Sequence, residues 1–200
     1  TGVQTCALPI YQLQHLPQIK SEEAWDIHKS KDGEEVVIGI NDSGCEWYHP
    51  DLVDNLKTNL GEDADGDGKV IIWDEEDQQW KFDPDDVNGI DDDNNGFTDD
   101  FVGWNFTSNY DGTAENDPNG SMYNKHGTHV TGLAAGVTNN NIGIASASWN
   151  VKFLPVKHGL NNSTSPNQYF TDKGFVYLAE NGADVINMSY GSPSFSEHMQ

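Results

Sequence analysis

Three short stretches of the chain are apolar almost without interruption, and the segments between them start and stop like helices. Glu35–Asn41 (EVVIGIN) is a β-branched run, as expected of a parallel strand buried on both faces. Val151–Val156 (VKFLPV) reads as a second strand, with Pro155 marking its end or an irregularity. Ala183–Tyr190 (ADVINMSY) reads as a third buried strand, stopping at Gly191. Helix signals fall around them. Ser21 ahead of Glu22 and Glu23 reads as a cap with acids in the first turn, the helix running to Lys29–Lys31 before Asp32-Gly33. Lys125–Gly136 (KHGTHVTGLAAG) opens a small apolar helical run on Val130, Leu133, Ala134 and Ala135. Ser165-Pro166-Asn167-Gln168 opens a third helix that stops at Asn181-Gly182. Tyr11–Lys20 reads as an extended segment and Thr138–Ile144 as a tight polar loop. Strands alternating with helices predict an α/β fold on a parallel sheet.

Between Asn55 and Phe106 this pattern gives way to a long insertion holding about half of the chain's acids. Asp63-Ala64-Asp65-Gly66-Asp67-Gly68 has D-x-D-x-D-G spacing, which turns alternate side-chain oxygens toward one point if glycine allows a sharp bend. Calcium, a hard ion that takes roughly six to eight oxygens, suits that geometry. Val70 falls at the apolar eighth position of such a loop and Asp74 at the twelfth, where the usual residue is Glu; the shorter Asp predicts modest affinity. A second candidate loop is Asp91-Asp92-Asp93-Asn94-Asn95-Gly96, followed by Asp99 and Asp100, with Asp91, Asp93, Asn95 and Asp99 as ligands. The alternative is a disordered acidic loop, since unneutralised like charges repel. Trp73, Trp80, Phe82, Phe97, Phe101 and Trp104 argue against it.

Composition extends the picture. Two hundred residues suit one domain with a substantial core. The 33 acids against 10 Lys+Arg give a formal net charge of −23, which repels nucleic-acid phosphate and anionic membrane and favours cations. No apolar run approaches the ~18–20 residues of a membrane helix. Residues 1–10 (TGVQTCALPI) resemble the in-frame translation of a sequencing-library adapter, codon for codon, and are set aside as non-native. The true N-terminus, with any signal or pro-segment, would then be lost from this sequence. Without Cys6 the remaining cysteine is Cys45, so no disulfide follows.

Two residues stand where chemistry is usually done. Asp42 closes the first strand in a D-S-G turn, and ligands of open α/β sheets bind beyond the carboxyl ends of the strands. Its plainer reading is a turn cap. His126 sits in the first turn of a buried helix, rigidly held yet facing the open end, as a catalytic base must be. Its plainer reading is a solvated loop histidine. Cys45 has acidic and aromatic neighbours and reads as a small buried hydrophobe, not a reactive thiol.

Taken together, VIGINDSGCEWYHPDL (37–52), KHGTHVTGLAAG and ADVINMSYGS resemble three hallmark segments of the subtilisin-like serine proteases, the subtilases, and the likeness covers Tyr11–Gln200. Asp before His before Ser is the order known for subtilisin. The resemblance implies a subtilisin-like three-layer α/β/α fold with a parallel sheet, incomplete on its C-terminal side. Residues 11–200 would be a partial peptidase catalytic domain with a calcium-binding insertion at about 55–106. It implies peptide-bond hydrolysis by an Asp/His/Ser triad, with His126 as general base and Asp42 orienting its imidazole. Ser189, Tyr190 and Gly191 would lie beside an extended polypeptide substrate, pairing with it as an added strand. His129 would be a structural neighbour. Asp51 and Asn140 would help form a further calcium site, and residues 88–106 are similar to an insertion of calcium-dependent bacterial subtilases. With the acidic composition, this points to a secreted, monomeric bacterial enzyme with calcium as its cofactor.

The sequence departs from the family at the nucleophile. The family's G-T-S-x-A segment and its oxyanion-hole Asn follow the N-M-S strand, and these 200 residues contain neither. Ser192, Ser194 and Ser196 have no helix to seat a nucleophile. Triad members act as a unit, so this polypeptide is expected to be inactive although its parent is not. One sheet edge is expected to lack its neighbour, with poor stability or aggregation as the consequence. Two other readings are a peptide-binding pseudoprotease and a calcium-binding structural module; the module leaves H-G-T-H unexplained.

Overall fold

The computed structural model describes residues 16–29, 35–120, 125–161 and 169–191. The adapter-like segment, the helix opening at Ser165-Pro166 and the serines at 192, 194 and 196 lie outside them. The main sheet has four strands: β1 (Val36–Asp42), β4 (Trp104–Asn105), β5 (Val151–Lys157) and β6 (Val185–Asn187). Their spatial order is β4–β5–β1–β6, and every pairing is parallel. The helices are α1 (Ser21–Ile27), the single turn α2 (Ser108–Asp111), α3 (His126–Ala135) and α4 (Thr171–Glu180).

Side chains along a strand alternate between the two faces of its sheet. Ile38, Ile40, Val151 and Phe153 pack with Val130, Ala134 and Ala135 of α3. Val37, Leu154 and Val156 turn the other way and pack with Tyr177 and Leu178 of α4. The two helices therefore cover opposite faces, giving the three layers that the resemblance implies. Each fully buried apolar side chain in these clusters contributes about 1.5–3 kcal/mol.

Pro155 sits inside β5, not at its end, in register with Ile40. Phe153 O accepts from Lys57 N, and Lys157 O accepts from Phe106 N, both away from β1. Residues 153, 155 and 157 thus present their backbones to that far edge, where β4 pairs only from Val156 onward. The proline's missing N–H falls on the side that has no full ladder to break.

Four elements differ from expectation. Residues 16–18 are helical, not extended, because the nearly fully buried Leu16 draws them onto the body of the fold. Ser21 is the first helical residue, not the cap. Lys20 takes the cap position at φ 57 and makes no side-chain cap bond. That helix ends at Ile27, where the chain extends at His28 and lays Lys29 over the Trp149 ring. The third strand is three residues long and its Val185 is 57% exposed, since β1 pairs with it and no other described strand flanks it. In α3, Leu133 is exposed, and the buried face is Gly127, Thr131, Gly132 and Ala135: small residues admit the helix close to the sheet.

The insertion is folded and anchored. Its β2 (Ile71–Asp74) and β3 (Gln79–Phe82) form an antiparallel hairpin in which Trp73 faces Trp80. Val70, Phe101 and Val102 are wholly buried in the α3-side core, and Phe82 stacks on Trp47 at 5.3 Å.

Candidate active site and acidic insertion

Eighty-four residues separate Asp42 and His126, and the parallel sheet brings them together: β1 ends where α3 begins. His126 Nδ1 lies 2.8 Å from Asp42 Oδ1. The Asp42 side chain is fully buried, whereas that of His126 is 49% exposed. A carboxylate only accepts, so the ring nitrogen facing it carries the proton, and Nε2 is left as the acceptor of the pair. The same Asp42 oxygen accepts the Ser43 N–H at 2.6 Å, while Oδ2 is buried with no hydrogen-bond partner among the described residues. Burial would hold this carboxylate in place, whereas half of the imidazole surface reaches solvent.

Polar side chains that sequence reading passed over underlie this junction. Lys157, opposite Asp42 in the β1–β5 register, is fully buried and donates to Asp111 Oδ2 and Thr113 Oγ1, both at 3.0 Å. His158 N donates to Asp42 O, and its buried ring stacks on Phe106 at 5.4 Å with Nδ1 2.6 Å from Tyr169 O. Burial pulls this imidazole down to about 4. The available signal was the polar pair Lys-His closing an apolar strand. Cys45 is wholly buried, and burial pushes its thiol up to about 12, as an inert core cysteine requires.

Ser189, Tyr190 and Gly191 follow β6 after Met188, with β6 next to β1 and Asn187 paired to Ile40. Ser189 Oγ accepts from Asn187 Nδ2 at 2.9 Å. The Tyr190 hydroxyl is buried, and its phenol is pushed up to about 12 by burial, with the Asp42 charge adding in the same sense.

Among the described residues, two groups of carboxylates converge closely enough to hold a cation, their ligand atoms within 4.8 Å of one another: Asp63, Asp65 and Asp67; and Glu62, Asp91 and Asp93. In the first, Asp63 accepts from Gly66 N and Gly68 N at 2.8 Å, so the loop's own amides shape it. Each such oxygen keeps a further lone pair for a hard cation. Asp74 is not part of this group. It accepts from Lys81 Nζ at 2.8 Å and from Glu76 N and Asp77 N, which ties it to the hairpin turn. In the second group, Asp99 turns away to accept from Asn88 N and Gly89 N. Asn95 donates through Nδ2 to Asp93 and Asp100. Glu62, which sequence reading missed, takes the free place. It is wholly buried, accepts from Asp93 N and Asp99 N, and burial raises its carboxyl to about 7. Its only sequence signal was adjacency to Asp63.

Asp51 and Asn140 also meet: Asp51 Oδ1 accepts from Asn140 Nδ2 at 2.9 Å and Oδ2 from Ile144 N at 2.7 Å. A Cβ on Gly143 would stand 2.1 Å from the Asp51 carboxylate, so the loop at 140–144 folds over that carboxylate as a cradle.

Comparison with known proteins follows the same lines. The model of the subtilase family matches residues 33–200. The chain is 31% identical over 171 residues to a thermophilic serine proteinase of Bacillus sp. (strain AK1), covering 86% of this chain and 29% of that protein. It is 32% identical over 179 residues to thermitase of Thermoactinomyces vulgaris, covering 89% of this chain and 44% of that one. It is 34% identical over 161 residues to subtilisin-like protease 1 of Plasmodium falciparum, covering 80% and 19%. The chain thus spans less than half the length of each of these relatives, and the similarity is not confined to bacterial proteins.

Proposed function

The chain belongs to the subtilase family, and from that premise we propose that it carries the Asp–His half of the catalytic machinery of a calcium-stabilised serine endopeptidase. The observation that carries this reading is the 2.8 Å contact between His126 Nδ1 and Asp42 Oδ1. His126 Nε2 takes the proton from the attacking serine hydroxyl and returns it to the leaving amine, while Asp42 holds the tautomer and stabilises the imidazolium. Ser189, Tyr190 and Gly191 offer backbone to an extended polypeptide, which adds as a strand outside β6. Asp63, Asp65 and Asp67 hold one calcium ion; Glu62, Asp91 and Asp93 a second; Asp51 and Asn140 contribute to a third. Calcium bound there would add positive charge to an insertion whose acids far outnumber its three lysines. Residues 11–200 form part of the catalytic domain, with 1–10 a non-native addition. The protein acts as an extracellular monomer, and among the described residues no helix is long and apolar enough to cross a membrane.

The 200-residue polypeptide contains no serine in a Gly-Thr-Ser setting and is inactive by itself. A fluorogenic peptide assay on the purified polypeptide is expected to give no turnover; turnover would overturn that part of the reading. Its parent protein, continued through such a serine, is expected to cleave the peptide and to stop on His126→Ala.

A further inference from the structure

Helix α3 places the imidazole, yet its own sequence does not cap it. The residue at the cap position, Lys125, makes no side-chain cap bond, and the first four amides of any helix have no partner inside it. The turn after β1 makes up the deficit. Ser43 Oγ accepts the Gly127 N–H at 3.0 Å, and both groups are buried. Thr128 Oγ1 accepts the Glu46 N–H at 3.0 Å, and Lys125 Nζ pairs with Glu46 Oε2 at 3.1 Å. A Cβ on Gly127 would stand 2.2 Å from Gly44 O, so the helix's second residue lies flat on the turn. The segment carrying Asp42 is thereby bonded to the segment carrying His126 at three places besides the Asp–His contact itself.

We infer that Ser43 is a positioning residue: its hydroxyl caps α3 from across the fold and so fixes the distance between His126 and Asp42. A capping oxygen is ordinarily supplied by the residue just before the helix. Here it comes from the residue next to Asp42, and the Ser43 N–H also donates to the Asp42 oxygen that faces His126. One residue therefore sets the carboxylate through its backbone and the imidazole through its side chain. Thr would keep the hydroxyl; Ala would remove it and leave the Gly127 amide buried without an acceptor. The inference rests on His126 being the base.

The test is nuclear magnetic resonance on the 15N-labelled parent protein, and it needs no turnover. In the unaltered chain the Gly127 amide is expected to exchange slowly and His126 to show a resolved low-field Nδ1–H resonance. In Ser43→Ala the Gly127 amide is expected to exchange about 10-fold faster, a loss of about 1.4 kcal/mol of protection, and the Nδ1–H resonance to broaden into solvent exchange. Ser43→Thr is expected to retain both signals. An unchanged Nδ1–H resonance in Ser43→Ala, with only a lower melting temperature, would make Ser43 merely structural. If Ser43→Ala does not fold, the unaltered chain decides the matter: a Gly127 amide exchanging like an unprotected one ends the proposal. Lack of peptidase activity in the parent would sink the functional reading and leave this positional one untouched.

Discussion

At the junction of β1 and α3 a single buried carboxylate serves two donors, and the helix packed on it buries only small residues. In the insertion, carboxylate after carboxylate accepts amides of its own loop. Asp63 takes those of Gly66 and Gly68, Asp91 those of Asn95 and Gly96, and Asp99 those of Asn88 and Gly89. Amides shape such loops but leave the charge standing, and Lys57, Lys69 and Lys81 are the insertion's cations. The junction is thus set by packing and its own cross-bonds, and the insertion by packing plus whatever cation balances its field. Packing is indifferent to the ionic medium, whereas a convergent acidic loop is not. The two regions should therefore respond differently to the same perturbations.

The largest separation is expected in catalysis. Asp42→Asn in the parent protein should lower kcat by about 10^4, because the amide favours the wrong imidazole tautomer. Asp65→Ala with Asp67→Ala, assayed at saturating calcium on the folded fraction, should change kcat by less than about 10-fold, since both residues are exposed and accept amides of their own loop. A collapse of equal size in both variants would mean that the insertion and the junction are one unit.

Stability should reverse the order. A cation bound only by the folded state adds RT ln(1 + [L]/Kd), or about 2.7 kcal/mol at a hundred times Kd. Chelation should therefore lower the melting temperature of the parent by roughly 5–10 °C. Asp65→Ala with Asp67→Ala should remove much of that shift. Asp74→Ala should leave it in place, because Asp74 is engaged by Lys81 and the hairpin turn. A chelation shift abolished by Asp74→Ala would restore the twelve-residue loop expected from spacing alone.

That last contrast indicates how far the sequence could be read. The Asp42–His126 pair was legible because strand ends and helix starts are local signals, and a parallel sheet has few ways to join them. The D-x-D-x-D-G turn was legible because its donors and acceptors lie within six residues. Glu62 and the buried Lys157–Asp111 pair were not, since each depends on a partner at least 31 positions away, as in the contact of Glu62 with the Asp93 amide. Ser21 failed as a cap for a similar reason: tertiary packing buried it, and a left-handed Lys20 took the turn. The short β6 reflects pairing on one side only, which no pattern of Val and Ile can reveal.

The smallest effect concerns acid. Burial raises Glu62 to about 7 and Asp100 to about 6, so in metal-free protein their contribution falls as pH rises from the unfolded value through those points. His158, beneath the junction, carries the opposite sign. Its ordinary value is 6.5 and burial lowers it to about 4, so the unfolded chain binds the proton more readily between those limits. The neutral ring costs nothing above pH 6.5, and stability is lost as pH falls through the window, by about 2 kcal/mol at pH 5. His158→Leu forfeits the Nδ1 bond to Tyr169 O and should be less stable than the unaltered chain at pH 7.5. The deficit should narrow toward pH 5, because the variant has no buried imidazole to protonate. Denaturant melts of both chains in chelator at the two pH values measure that change directly. A deficit of constant size would place the acid response elsewhere and erase the opposition of sign between the two regions.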